Sequence, residues 1–216
     1  MYLSKLIVNQ DNRTGAWMFS DAYETHKTIW RGLPDSNNGG PGRVLFRTEL
    51  MDKGRSLVIL VQSDVRPNWQ PLLEDGVFRD AQCKEVRINS HNGQLLRFRI
   101  RANPTAKRIV DETKRDEDGR PKRARVGLFG DEKQLGWLNR KAQENGFHIV
   151  DCEIKDKQNV DSAKKRNTKT IRHLGVTFDG ILEVTDPQTF SQALENGIGS
   201  AKGFGFGLLS IAPIRR

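Results

Sequence analysis

The sequence predicts an α+β chain made of two successive β-α-β-β-α-β units, each with an antiparallel sheet. Three observations carry that prediction. Stretches such as Gln94–Ala102 alternate strictly, Leu96, Phe98 and Ile100 against Arg97, Arg99 and Arg101, as half-buried strands do. Other stretches, such as Glu132–Glu144, place Leu135, Leu138 and Ala142 on one helical face. The order of the two kinds repeats on either side of His91-Asn92-Gly93. This is the tandem ferredoxin-like pattern, also found in RRM-like domains. It puts a first unit at 1–90 and a second at 91–216.

In the first unit, Tyr2–Asn9 reads as a strand and Asp11–Gly15 as a turn. Ser20–Arg31 reads as a helix, with Ser20 as its cap and Gly32–Pro34 as its stop. Residues 34–43 are a loop by composition. Val44–Met51 and Ser56–Gln62 are strands of a hairpin closed by Asp52–Gly54. Pro67–Leu73 is a short helix and Lys84–Asn89 a last strand.

The second unit opens with the strand Gln94–Ala102. A basic hairpin follows, with the charged turn Asp111–Arg120 and the strand Lys122–Val126. Glu132–Glu144 is a helix stopped by Gly146, and Phe147–Cys152 is a strand. Thr170–Phe178 and Ile181–Thr185 read as a hairpin about Asp179-Gly180. Asp186 caps a helix with Pro187 at its first position, running to about Glu195, and Leu208–Ala212 closes the chain as a strand.

Composition narrows the partners. The 216 residues hold 36 Lys+Arg against 27 Asp+Glu, a net charge of +9 that favours a polyanion, nucleic acid first. A ribosome-type structural protein would share that charge. No apolar run approaches a membrane span, and MYLSKLIVNQ is too short and polar for a signal peptide, so a cytoplasmic protein is expected. Cys83 and Cys152 form no CxxC pair and are expected to be reduced and buried. His26, His91, His148 and His173 stand at no metal-ligand spacing, so neither metal nor cofactor is expected.

The densest chemistry lies on the first helix, SDAYETHKTIWR. Met18, Ala22, Thr25 and Ile29 make its core stripe. Tyr23, His26, Lys27, Trp30 and Arg31 lie round the other side. An imidazole, a phenol and two cations on one shoulder suit proton transfer beside a phosphate. A histidine merely packed on a helix would look the same, so a catalytic residue and a structural one stay open at this point. The GIGSAKGFGFG segment, Gly197–Gly207, fits neither a Walker loop nor GxGxxG. Its glycines Gly199, Gly203 and Gly205 can expose backbone N–H groups to phosphate, and Lys202 adds charge. Lys107, Arg108, Lys122, Arg123 and Arg125 on the basic hairpin, and Lys157, Lys164, Lys165 and Arg166 in the stretch 155–172, are candidate RNA contacts. The aromatic signature of RNA-recognition sheets is absent, which argues against stacking of single strands on the sheet faces.

YLSKL, DAYETHKTIWR, RFRIRANPTAKR, GRPKRARV, WLNRKA, FDGILEVTD and GIGSAKGFGFGLLSIAP occur in that order. Together they resemble the CasE family, the CRISPR repeat-processing endoribonucleases of the type I-E system. The resemblance implies metal-independent cleavage of the precursor at the base of each repeat stem-loop, with the mature guide RNA retained in the multi-subunit Cascade complex. It places the catalytic histidine at His26, the helix tyrosine at Tyr23, helix basic residues at Lys27 and Arg31, and the glycine-rich loop at Gly197–Gly207. The chemistry expected is attack by a 2′-OH on the next phosphate, giving a 2′,3′-cyclic phosphate and a 5′-OH, with the acid and base roles of His26 open. The competing readings are a non-catalytic RNA-binding subunit and a ribosome-associated protein.

Overall fold

A computed structural model describes residues 1–35, 39–115, 119, 121–162 and 171–214; the side chains of 52, 110–114, 121–122, 161–162 and 171 are outside that description. Lys164, Lys165 and Arg166 therefore lie outside the described residues, as does the side chain of Lys122.

The first unit runs β1 (Tyr2–Val8), α1 (Arg13–Met18), α2 (Ala22–Trp30), β2 (Val44–Met51), β3 (Ser56–Ser63), α3 (Gln70–Glu74) and β4 (Phe78–Glu85). Its sheet has the order β2-β3-β1-β4, all antiparallel. The second runs β5 (Leu95–Ala102), β6 (Thr105–Arg115), β7 (Pro121–Gly127), α4 (Asp131–Glu144), β8 (Phe147–Ser162), β9 (Ile171–Val184), α5 (Pro187–Asn196) and β10 (Leu209–Pro213). Its sheet has the order β10-β5-β9-β8, and β6-β7 is a separate two-stranded ribbon. In both four-stranded sheets the unit's first strand is internal and neighbours its last strand at an edge, the tandem ferredoxin-like arrangement the sequence predicts.

Each sheet buries one face under its helices. Leu6, Ile29, Phe46, Ile59 and Phe78 meet in the first core; Phe98, Ile100, Phe147, Phe178 and Phe190 meet in the second. Leu96, Phe98 and Ile100 point into the core as the alternation requires.

Several local readings are corrected. Asp11–Gly15 is not a simple turn: Asn12 accepts from the Thr14 and Gly15 amides and starts α1. Met18 consequently ends α1 rather than opening α2, and Asp21, not Ser20, caps α2 by accepting from the Tyr23 amide at 2.8 Å. The last strand of the first unit is Phe78–Glu85, several residues ahead of Lys84–Asn89, because Phe78 is the residue that reaches the core. Asp179-Gly180 closes no hairpin. β9 runs straight through it, with Gly180 beside both Phe98 and Cys152. A Cβ on Gly180 would overlap the Asp151 carbonyl oxygen, so glycine serves close strand packing there. β8 correspondingly extends to Ser162, well past Cys152. Cys83 and Cys152 are free but only half-buried.

Buried polar groups tie the units together. Arg47, 3% exposed, donates from Nη1 to the Arg99 and Leu208 carbonyls and to Ser210 Oγ, and from Nε to Glu49. Gln62 donates to the Leu194 carbonyl at 2.7 Å. Among the described residues, no helix is long and apolar enough to cross a membrane.

Candidate active site

His26 sits on α2, one turn after the Asp21 cap. Thr25, Thr28 and Ile29 turn into the core, while Lys27 is exposed and His26 stands half-buried at the edge of that face. The imidazole stacks on Trp30, with ring centroids 3.9 Å apart and planes at 28°. Trp30 itself remains exposed. His26 Nδ1 is buried and has no hydrogen-bond partner among the described residues. Burial lowers the imidazole pKa below its ordinary 6.5, so the ring is neutral at pH 7.

The glycine-rich segment lies against this ring. A Cβ on Gly203 would stand 3.7 Å from His26 Nδ1. Ala201 has φ +61° and introduces a 3-10 turn, Lys202–Phe204. Gly197 and Gly205, with φ +72° and +83°, pass so close to Leu45 and Phe46 that side chains there would press on β2. Gly199 does the same at Trp137 of α4. The segment thus lies in the seam between the units and brings Gly203 to His26 across more than half the sequence, while Gly199 packs on Trp137 and Gly205 on Phe46.

The other α2 candidates face solvent. Lys27 pairs with Glu24 at 3.0 Å, and Arg31 pairs with Asp75. Tyr23 is half-buried, with the Lys27 ammonium 6.0 Å from its ring centroid. Surface pairs of this kind are worth about 0–1 kcal/mol, so an arriving phosphate can compete for either cation. Lys202 donates to the Asn196 carbonyl at 2.8 Å; its pKa is lowered by burial and by Arg43.

The basic ribbon places Lys107 directly across from Arg125, with Arg108 and Arg123 also exposed. Lys107 and Arg125 line a cavity of about 560 Å³ with Arg140, Lys141, Gly199 and Ser200. Of the basic stretch 155–172, Lys157 is on β8 and pairs with Asp131 at the start of α4.

The sequence alone does not assign the Trp30 stack or two groups beside the glycines, His173 and Arg101. His173 stacks on Phe204 at 4.8 Å, its Nδ1 lies 3.3 Å from Asn103 Nδ2, and burial lowers its pKa. Arg101 lies over Phe206 and donates to Thr48 Oγ1 and Gln158 Oε1. The i, i+4 spacing of His26 and Trp30 was the one available signal; the others depend on the packing of β5, β8 and β9.

Fold and site together define a tandem ferredoxin-like protein with a helix histidine set against a glycine-rich seam and a basic ribbon beyond. A family model described as CRISPR associated protein matches residues 1–213, and the chain belongs to that family. It is 31% identical over 227 residues to the CRISPR-associated endoribonuclease Cse3 of Thermus thermophilus, covering 99% of this chain and 100% of that one. It is 32% identical over 216 residues to the CRISPR system Cascade subunit CasE of Escherichia coli K12, with the same coverage. A Thermus thermophilus Cse3 structure, bound to an RNA representing a pre-cleavage complex, superposes with a TM-score of 0.81 at 30% identity over 98% of both chains.

Proposed function

We propose that this chain is an endoribonuclease that cuts CRISPR precursor RNA at the base of the repeat stem-loop, and that it keeps the mature guide RNA as a subunit of a Cascade complex. The observation that carries this reading is the meeting of His26 with Gly203. A neutral imidazole with a free nitrogen stands beside a backbone suited to hold phosphate. That one relative is a CRISPR-associated endoribonuclease and another a Cascade subunit supports the substrate class and the partner. The units split at His91–Gly93, with the histidine in the first and the RNA-holding ribbon and glycines in the second.

The reaction needs no metal. His26 takes the proton of the 2′-OH as that oxygen attacks the adjacent phosphorus. The bond from phosphorus to the 5′ oxygen breaks, that oxygen takes a proton from water, and the proton on His26 passes to solvent. The products are a 2′,3′-cyclic phosphate and a 5′-OH. Tyr23, one turn before His26, positions the ribose. Lys27 or Arg31 exchanges its carboxylate partner for the phosphate and offsets the charge that builds on it.

The test is incubation with a labelled repeat hairpin in EDTA. One discrete cut is expected, with no cut when the nucleotide at the site is 2′-deoxy. His26→Ala should abolish cutting and bind RNA as tightly as the unaltered protein. A strict Mg²⁺ requirement would reject the mechanism, and a large loss of binding in His26→Ala would make that residue structural.

A further inference from the structure

A second cavity, of about 390 Å³, lies between the units. Its walls come from the start of α2, from β2 and β5, from β8 and from Phe204. Ala22 and Thr25 line it, placing it one residue from His26 along the helix. The glycine-rich segment fixes the order of the three places. Gly199 lines the basic cavity, Gly203 meets the imidazole, and Phe204 lines the second cavity. That order offers a strand held at the ribbon and cut at His26 a place for its next nucleotide.

Its lining is polar and of mixed charge. Glu49 is taken up by Arg47 and Arg99, Lys155 by Glu153 at 2.5 Å, and Asp21 by the cap of α2. Arg101 differs from the other arginines here. No carboxylate is within ion-pair distance of it among the described residues, and its buried Nε has no hydrogen-bond partner there. Gln158 and Asn159 add amide groups, and Asp156 adds a carboxylate. Phe204, held from behind by His173, offers an aromatic wall. With Asp156 and Asp21 present, the cavity is poorly matched to a bare phosphate. It suits a neutral planar group whose edge carries both donors and acceptors, and its size falls within the range of small-ligand sites, about 300–1,000 Å³.

We infer that this cavity is a subsite for one unpaired nucleobase flanking the cut, packed against Phe204 and hydrogen-bonded on its edge by Arg101 and Gln158. The inference rests on the proposed cleavage at His26 for its direction. Unpaired bases are the part of an RNA that proteins read by aromatic packing and edge contacts.

The test uses a hairpin made uncuttable by 2′-deoxy substitution at the cut site, with or without unpaired nucleotides beyond it. The flank is expected to tighten binding by the unaltered protein about tenfold. In Arg101→Gln and Gln158→Ala the gain should fall below about twofold, while the blunt hairpin binds unchanged. A 4-thiouridine in the flank should crosslink to the peptide carrying Phe204. A flank that adds no affinity, or a gain kept in both variants, overturns the subsite, as does crosslinking confined to other peptides. If Arg101→Gln fails to fold, the exposed Gln158→Ala and the crosslink decide. The probe cannot be cut, so failure of the proposed reaction would leave this result standing.

Discussion

His26 is held by two neighbours of opposite character, an indole on one side and bare backbone on the other. The indole covers the ring and strips water from it, which keeps the imidazole below its ordinary pKa. A base with a lowered pKa is active above that pKa and loses activity only once protonated. For free enzyme and RNA, kcat/KM should therefore rise with pH through a midpoint below 6.5 and be level at neutrality. Trp30→Ala exposes the ring, so the midpoint should move up toward 6.5, and lost orientation should slow single-turnover cutting about tenfold at pH 7. Trp30→Phe should keep the midpoint low. A profile unchanged in Trp30→Ala would show that the indole does not set the proton affinity. The sign for stability follows from the same shift. The unfolded chain binds the proton more readily, so the contributions of His26 and His173 are present above pH 6.5 and are lost as pH falls below it.

At the scale of elements, Gly180 marks where a dipeptide signal and a tertiary requirement part. Asp-Gly is a strong hairpin cue when neighbours alone are considered. Here Asp179 accepts from Arg99 on β5, at 2.7 Å to Nε and 2.5 Å to Nη2, and Gly180 lets β8 approach. Gly180→Ala should accordingly destabilise the protein by about 1–3 kcal/mol in denaturant unfolding, although its φ is ordinary for any residue. A turn glycine at a solvent-facing tip would tolerate alanine far better unless its φ were positive. The same distinction explains which elements the sequence made legible. Alternation in β5, the Asp186 cap with Pro187, and the core stripe of α4 are local, and they survive into the fold. The reach of β8 and β9 is set by pairing between segments far apart in the chain, which no window of sequence contains. The site divides likewise. Tyr23, His26, Lys27 and Arg31 are readable as neighbours on one helix. The role of Arg101 is not, because its surroundings come from β2, β8 and the glycine-rich segment.

For the whole molecule, the seam matters more than either core. The imidazole belongs to the first unit and Gly203 to the second; their meeting requires the units to keep one orientation. Arg47 does much of that holding. Its guanidinium reaches two carbonyls and a hydroxyl of the second unit while remaining paired to Glu49 of its own. Arg47→Ala leaves the Arg99 and Leu208 carbonyls without that donor in a buried seam, at a cost of about 3 kcal/mol. Because each sheet has its own apolar core, that loss should fall on the joint. Unfolding followed by a probe in each unit should separate into two transitions where the unaltered protein shows one. Cutting should slow by more than RNA binding weakens, since the ribbon stays intact while the distance from Gly203 to His26 is no longer fixed. If Arg47→Ala instead unfolds in a single step with unaltered cutting, the seam is held by the glycine segment and Gln62, and Arg47 is only a buried ion satisfied where it lies.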